Sequence, residues 1–162
     1  MKNKLTESET KQLITLLKKV KLPAPYPVFL ALSKSVPLVA VNILLMPDED
    51  HILLTYRKDD FYDHWHIPGS ILLMNEHPKK AIHRVAKKEL GIKVQDFEFI
   101  NYVTEFSARG HGVMLMFKVE PKNQKPKDGK YFHLDKLPKK FLEEQRGEIT
   151  ILQALRKTKR AE

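Results

Sequence analysis

Apolar segments alternate with short polar, turn-forming segments in the middle of the chain, and they predict a β-rich core. Residues 36–46 (VPLVAVNILLM) are almost continuously apolar, which predicts a buried central strand. The turn at 47–50 leads to a second apolar segment, 51–57 (HILLTYR), so these two strands are expected to form a hairpin. Further strands are predicted at 95–107, 113–119 and 130–134, and exposed loops at 58–63 and 120–130.

The N-terminal part shows helical periodicity followed by prolines. Thr6 and Glu9 form a capping box, and apolar residues then recur at helical spacing, which predicts a helix from about Glu7 to Lys21. Prolines at 23, 25 and 27 are expected to exclude further helix and to form an extended linker. We therefore expect an N-terminal extension over residues 1–35.

The C-terminal part predicts two helices. Leu137 and Pro138 open the first, which is expected to continue to about Glu144, and Gly147 is expected to break it. A last helix is predicted over 148–157, because apolar residues recur there on one face: Ile149, Leu152 and Leu155.

The most informative stretch is 65–92 (WHIPGSILLMNEHPKKAIHRVAKKELGI), which combines a Pro-Gly turn, a short apolar run and a helix. Pro78 suits the first helical position, and Gly91 can adopt the left-handed conformation that ends the helix. Glu89 falls on the apolar stripe of this helix, four residues after Val85. A carboxylate there needs a cation, hydrogen bonds or a bound metal, so a pair with Arg84 and a ligand role both stay open.

The order of these elements predicts the fold class. A helix is followed by a strand-rich block that contains one inserted helix, and then by further helices. This order predicts an α+β fold, an α/β/α sandwich with a mixed sheet between helices, over residues 36–162.

Composition narrows the class of protein without identifying a site. The 162 residues are 42% hydrophobic and lack Cys, and no run approaches the ~18 apolar residues of a membrane span, so we expect one cytoplasmic domain without a signal peptide. The 29 Lys and Arg against 20 Asp and Glu give a net charge of +9. This charge favours anionic partners such as nucleotides, although a solvated basic surface explains it equally well.

Several polar residues are candidates for a site. Asn42 interrupts the first strand, where it can bond to nearby backbone or contact a ligand. Arg57 ends the second strand, either as a surface residue or as part of a site. His64 and His66 share a strand face, as a metal-binding pair would, but no third ligand lies at a useful spacing.

The stretch 65–92 resembles the box of the Nudix hydrolases, G-x5-E-x7-R-E-U-x-E-E-x-G-U, with U a bulky aliphatic residue. Aligned without gaps, the residues that match the box are Glu76, Arg84, Glu89, Gly91 and Ile92. The residues that depart from it are Ser70 for the first Gly, Val85 for the Glu after Arg, and Lys88 for the next-to-last Glu. The lead-in from Trp65 to Gly69 also resembles that family, so the resemblance implies a Nudix fold.

The pattern is similar to one branch of that family, the GDP-mannose mannosyl hydrolases. That branch also lacks the Glu after Arg and ends its box in E-L-G, as Glu89 to Gly91 do here. The resemblance implies one Mg²⁺ (or Mn²⁺), held by Glu89 and by the carbonyl of Gly69. It also implies that Arg84 orients Glu89.

The same resemblance implies roles for residues outside the box. Arg57 would meet the diphosphate, and Asn42 falls where that branch has a substrate-contacting Asp. The Gln-His pair that supplies a ligand and the base in that branch falls near Asp128, which is either catalytic or a turn residue. His111, between two glycines, is another candidate for the base and for substrate binding. Ile71 replaces an arginine of that branch.

We therefore expect a hydrolase of a nucleoside diphosphate linked to another moiety, such as a sugar. The loss of two box glutamates supports an alternative, a Nudix-fold domain that binds a nucleotide or regulates without turnover. The expected partner is a small-molecule nucleotide, and a homodimer stays open. A membrane partner is not expected, and nucleic acid comes last because no nucleic-acid motif is visible.

Overall fold

The structure is a computed structural model that describes residues 5–60, 62–122 and 125–161. Parts of the predicted extension (residues 1–4) and of the two predicted loops (residues 61, 123 and 124) lie outside these ranges. The helices are α1 (Glu7–Leu17), α2 (Tyr26–Ser35), α3 (Pro78–Val85), a π-helical turn (Ala86–Leu90), a 3₁₀ helix (Glu143–Gln145) and α4 (Arg146–Lys159). The strands are β1 (Leu38–Leu44), β2 (His51–Lys58), β3 (Asp63–His66), β4 (Gly69–Ile71), β5 (Val94–Ser107), β6 (Gly110–Pro121) and β7 (Lys130–His133).

The predicted buried strand β1 lies inside a mixed four-stranded sheet of order β4-β1-β6-β5. It pairs antiparallel with β4 and parallel with β6, while β5 and β6 form an antiparallel pair. The strands β3, β2 and β7 form a second, antiparallel sheet. The mixed sheet and the α+β class are therefore confirmed.

The predicted hairpin of β1 and β2 is wrong, because both edges of β1 are already paired with β4 and β6. One backbone bond, from the Leu53 N–H to the Leu45 carbonyl (2.9 Å), joins the two segments. The Asp48 carboxylate holds the turn by accepting from the N–H groups of Asp50 and His51, each at 2.8 Å.

The two faces of the mixed sheet carry separate parts of the core. Side chains alternate along β1, so Val41 and Ile43 pack with the apolar stripe of α3, while Leu44 packs on the opposite face with Ile149 and Leu152 of α4. The sheet thus lies between α3 and α4, as the predicted sandwich requires.

The N-terminal part differs from the prediction. The first helix ends at Leu17, and residues 26–35 form a second helix rather than a linker. Pro27 stands in the first turn of α2, where a missing backbone N–H leaves no helical bond unmade. The prolines therefore start a helix here as well as ending one.

The C-terminal part also differs. No helix runs from Leu137 to Glu144, because this segment pairs with Trp65: the Trp65 N–H donates to the Lys140 carbonyl (2.7 Å) and the Leu142 N–H to the Trp65 carbonyl (2.9 Å). Gly147 does not break a helix but lies in the first turn of α4. A Cβ there would be 2.9 Å from Val103 Cγ1, so glycine allows α4 to approach β5 closely.

Arg156 ties α4 to two loops at the edge of the fold. Its side chain is 7% exposed and donates to Asp50 at 3.0 Å and to both oxygens of Asp135 at 2.9 Å. Among the described residues, no helix is long and apolar enough to cross a membrane.

Candidate functional site

The stretch 65–92 folds as predicted into a strand, a loop and a helix, and the helix ends in a wider turn. Residues 86–90 form a π-helical turn, and Gly91 takes the left-handed conformation (φ 66°) that was predicted for it. Such π turns are frequent at functional sites. Ala86 and Leu90 are fully buried, and Glu89, between them, is half-buried.

Arg84 organises the loop between β4 and α3. Its guanidinium binds Glu76 bidentately, with two N–O distances of 2.7 Å, and also donates to the Ser70 hydroxyl (3.1 Å) and the Ile71 carbonyl (3.0 Å). This pairing lowers the pKa of Glu76. No hydrogen bond joins Arg84 to Glu89 among the described residues, and the charge of Arg84 helps to keep the pKa of Glu89 from rising further. That Arg84 orients Glu89 stays a prediction.

Glu89 lies against the backbone of β4. Burial raises its pKa to about 7, while a hydrogen bond from the Gly69 backbone and the charges of Lys88, Arg57 and Arg84 oppose that rise. A Cβ at residue 69 would come within 1.9 Å of Asn42 Oδ1. Glycine is therefore required where β4 passes between Asn42 and Glu89.

Asn42 joins this site to a second buried carboxyl. Its side chain is 3% exposed, and its Nδ2 donates to Glu148 Oε1 at 2.8 Å. Glu148 is fully buried, its Oε2 has no hydrogen-bond partner among the described residues, and burial raises its pKa to about 7. Sequence reasoning missed Glu148, although it lies four residues before Leu152 on the apolar face of α4, which is the pattern that singled out Glu89.

These residues surround a cavity of about 850 Å³ beside β1 and β4. Six of the seven predicted site residues line it, and Arg84 stands behind its wall. The predicted residues in the lining are Asn42, Arg57, Gly69, Glu89, His111 and Asp128.

Two arginines approach one tyrosine at this cavity. The guanidinium of Arg57 lies 4.1 Å from the centre of the Tyr62 ring, and its Nε donates to Asp59 at 2.6 Å. Arg109 donates to the Tyr62 hydroxyl at 2.8 Å and lies 3.5 Å from Glu144. Burial disfavours its charge, but these neighbours raise the pKa of Arg109. Arg109 was not predicted as a site residue, because the β5–β6 turn reaches the cavity only through the tertiary fold.

The two candidate bases differ in their surroundings. Asp128 is exposed, and its carboxylate accepts from the Gly129 N–H at 2.7 Å, as a turn residue does. The His111 ring stacks on Phe106 with centroids 4.5 Å apart, and its Nε2 is buried without a hydrogen-bond partner among the described residues. Both residues line the cavity.

His66 is held by neighbours within the protein. Its Nδ1 lies 3.0 Å from the Ile67 carbonyl, so Nδ1 donates and Nε2 can accept from the Thr55 hydroxyl at 3.2 Å. Burial lowers the pKa of His66, which favours the neutral ring. The pair with His64 gains no third ligand, because the described residues contain no cluster of three or more His, Cys, Asp or Glu able to hold a metal.

The Glu89 carboxylate offers the oxygen atoms that a hard cation prefers. It accepts a hydrogen bond from the backbone N–H of Gly69, whereas Glu76 is paired with Arg84. Val85 is 1% exposed in the core, and Lys88 carries its charge into the cavity lining. Mg²⁺ is commonly bound through one or two carboxylates together with substrate phosphates. The residues therefore fit a single Mg²⁺ that the substrate helps to bind, and they do not fit a multi-metal cluster.

Comparison with known proteins assigns the domain. A family model described as NUDIX domain matches residues 36–156. The low-salt glycan biosynthesis protein Agl8 of Haloferax volcanii is 35% identical over 65 residues, which are 40% of this chain and 41% of that protein. The chain thus matches about two fifths of that relative's length.

Solved structures show the same fold. The MutT NUDIX hydrolase of Burkholderia pseudomallei matches with a TM-score of 0.59 and 23% identity, over 71% of this chain and 97% of that chain. The NUDIX domain of Shewanella oneidensis NrtR, complexed with ADP ribose, matches with a TM-score of 0.56 and 17% identity, over 94% of this chain and 99% of that chain. At these identities the likeness shows the fold alone.

Proposed function

Because the chain belongs to the NUDIX family of hydrolases, which act on nucleoside diphosphate derivatives, we propose that it hydrolyses a nucleotide sugar with the help of Mg²⁺ or Mn²⁺. The observation that carries this proposal is Glu89, a half-buried carboxylate against the backbone of Gly69, in a cavity with Arg57 and Lys88. The similarity to a glycan biosynthesis protein supports the sugar.

Each residue at this end of the cavity has a proposed role. Glu89 and the Gly69 carbonyl would hold one metal ion, which supplies neutralisation of the diphosphate and improves it as a leaving group. Arg57 offers its guanidinium to the diphosphate. Asp128 or His111 would accept the proton of the attacking water, since both line the cavity.

Asn42 is the proposed substrate contact beneath them. One of its amide hydrogens is committed to Glu148, which fixes the orientation of the amide. Its second amide hydrogen and its carbonyl oxygen are the groups that it can offer.

A substrate screen with product analysis tests the hydrolase. Sugar nucleotides and nucleoside triphosphates are incubated with Mg²⁺ or Mn²⁺, using the wild type, Glu89→Gln, and Glu98→Gln as a control at an exposed position outside the cavity. Free sugar with a nucleoside diphosphate indicates cleavage of the bond between the sugar and the diphosphate, and sugar phosphate with a nucleoside monophosphate indicates cleavage of the phosphoanhydride. Turnover by Glu89→Gln at the wild-type rate contradicts the proposal.

The second candidate function is nucleotide binding without turnover. It is favoured by Val85 and Lys88, which stand at two box positions for glutamate, and by the missing three-ligand cluster among the described residues. Tight nucleotide binding with no product under either metal supports this candidate and rejects the hydrolase.

Three further assignments belong to the same proposal. The partner is a small-molecule nucleotide, the location is cytoplasmic, and residues 36–162 form the domain behind an extension over 1–35. A homodimer and a monomer both stay open, and light scattering on the purified chain distinguishes them.

A further inference from the structure

The cavity has two chemically different ends. One end is polar, and the residues there include Arg57, Lys58, Lys88, Glu89 and Asp128. The other end, which we call the apolar end, lies against the start of α2, where apolar and aromatic lining residues stand beside polar residues of β5 and the β5–β6 turn. Its apolar and aromatic residues include Pro23, Ala24, Tyr26, Phe29, Leu38 and Met114.

The apolar end has a floor that leads to Glu89. Leu38, Ala40 and Asn42 follow each other on one face of β1, and Ala40 pairs with Met114. Asn42 in turn pairs with Gly69, which contacts Glu89. Four residues of strand span about 13 Å, which is the scale of a nucleoside with two phosphates.

The wall of the apolar end is aromatic. The rings of Tyr26 and Phe29 lie nearly parallel (21°), with centroids 6.2 Å apart, and both residues are half-buried. They stand one helical turn apart on α2, which precedes the NUDIX domain.

α2 is seated firmly enough to serve as a wall. Ser33 is 5% exposed, and its hydroxyl donates to the carbonyl of Arg109 in the β5–β6 turn. A Cβ at Gly110, which has a φ of 131°, would lie 1.9 Å from the Ser33 carbonyl oxygen. The turn therefore needs glycine there so that α2 can dock.

We propose that Tyr26 and Phe29 stack against the base of the bound nucleotide, so that the N-terminal extension binds the base while the NUDIX domain holds the diphosphate. This inference rests on the proposed function, since it places the diphosphate at Arg57 and Glu89. Aromatic rings bind planar bases face to face.

Binding measurements test this without requiring turnover. Calorimetric titrations with ADP, GDP, UDP and inorganic pyrophosphate, each with Mg²⁺, are compared for the wild type, Tyr26→Leu and Phe29→Leu. Val28→Ala is the matched control, because Val28 lies on the same helix, is 36% exposed and does not line the cavity.

Loss of stacking should weaken the tightest-binding nucleoside diphosphate by about 5- to 100-fold in either variant. Pyrophosphate should bind within twofold of wild type, since it has no base. Equal weakening of pyrophosphate, or an equal loss in Val28→Ala, would mean displacement of α2 and would overturn the inference.

A sugar nucleotide separates base from sugar. If a variant binds the nucleoside diphosphate normally but binds the sugar nucleotide weakly, the wall contacts the sugar and the inference is wrong. If both variants turn over substrate normally and bind with unchanged affinity, Tyr26 and Phe29 do not contact the base. The proposal that the chain is a hydrolase is then unaffected. If the wild type shows no turnover and the variants lose only the binding of nucleoside diphosphates, the stacking role of Tyr26 and Phe29 is supported. The proposal that the chain is a hydrolase is then rejected.

Discussion

Glu89 and Glu148 are both carboxyls on apolar helix stripes, and burial raises the pKa of each to about 7. Their surroundings differ. Glu89 faces a cavity, meets the Gly69 backbone and feels three positive charges, whereas Glu148 is fully buried, meets the amide of Asn42 and has one oxygen without a partner among the described residues. A carboxyl on an apolar stripe therefore predicts a buried acid, and only its neighbours decide whether that acid can reach a ligand.

The largest expected difference is in activity. Glu89→Gln should lower kcat by about a hundred- to a thousand-fold, because it removes the proposed anionic metal ligand, and a metal ion contributes several kcal/mol to stabilising the transition state. Its melting temperature should stay at or above that of wild type, since the amide resembles the neutral acid. Steady-state kinetics and thermal unfolding on the same samples check both.

Glu148→Gln tests the difference between the two carboxyls, because this variant should keep most of the activity. An equal loss of kcat in both variants, with the fold intact, would contradict the difference drawn between the two carboxyls.

The second comparison concerns the dependence of stability on pH. The pKa of Glu148 is about 7 in the folded chain against 4.5 for an ordinary Glu, so between these values the unfolded chain loses its proton first. Glu148 therefore lowers the free energy of unfolding by on the order of 3 kcal/mol as pH rises from about 4.5 to 7 and contributes no further change above that range. Glu89 contributes a decline in the same direction, because its pKa is raised as well.

Glu148→Gln should make this decline shallower and leave the part that comes from Glu89, and urea unfolding at several pH values measures it. A profile as steep in the variant as in wild type would show that the decline comes from other groups.

A smaller effect is expected from Asn42. Asn42→Ala leaves Glu148 Oε1 without its donor and should lower the free energy of unfolding by about 1–3 kcal/mol. The loss should be greater above pH 7, where Glu148 is charged, than at pH 5. Denaturant unfolding at the two pH values tests this, and a loss independent of pH would speak against the hydrogen bond as its cause.

The smallest effect is expected at Lys88. Its charge helps to keep the pKa of Glu89 from rising further, so Lys88→Ala should raise that pKa slightly. The same substitution should leave the pKa of Glu148 unchanged, since Lys88 does not contribute to it. Carboxyl chemical shifts followed by NMR titration resolve the two groups, and a shift at Glu148 would contradict the separation of the two sites.

The sequence was sufficient for what depends on local patterns. The apolar run of β1, the capping box of α1 and the left-handed Gly91 were all predictable, because each depends on neighbours in the chain. The spacing of the Nudix box also indicated the fold. The apolar pattern of α3 placed Glu89 on a buried stripe.

The errors arose where distant parts of the chain meet. The segment predicted as a helix at 137–144 instead pairs with Trp65, and Gly147 allows a close approach to Val103. Arg109 reaches the cavity through the β5–β6 turn, which no local pattern reveals. Glu148 could have been predicted from the sequence, because it lies on the apolar stripe of its helix just as Glu89 does.

The contact behind Gly69 has a consequence for saturation mutagenesis. Because a single methyl group would already collide with Asn42 at 1.9 Å, alanine and tryptophan should be rejected alike at that position. At residue 89, by contrast, the effect of a substitution should depend on the charge and length of the new side chain. The two adjacent positions would give opposite profiles in such a scan, one sensitive only to volume and the other only to chemistry.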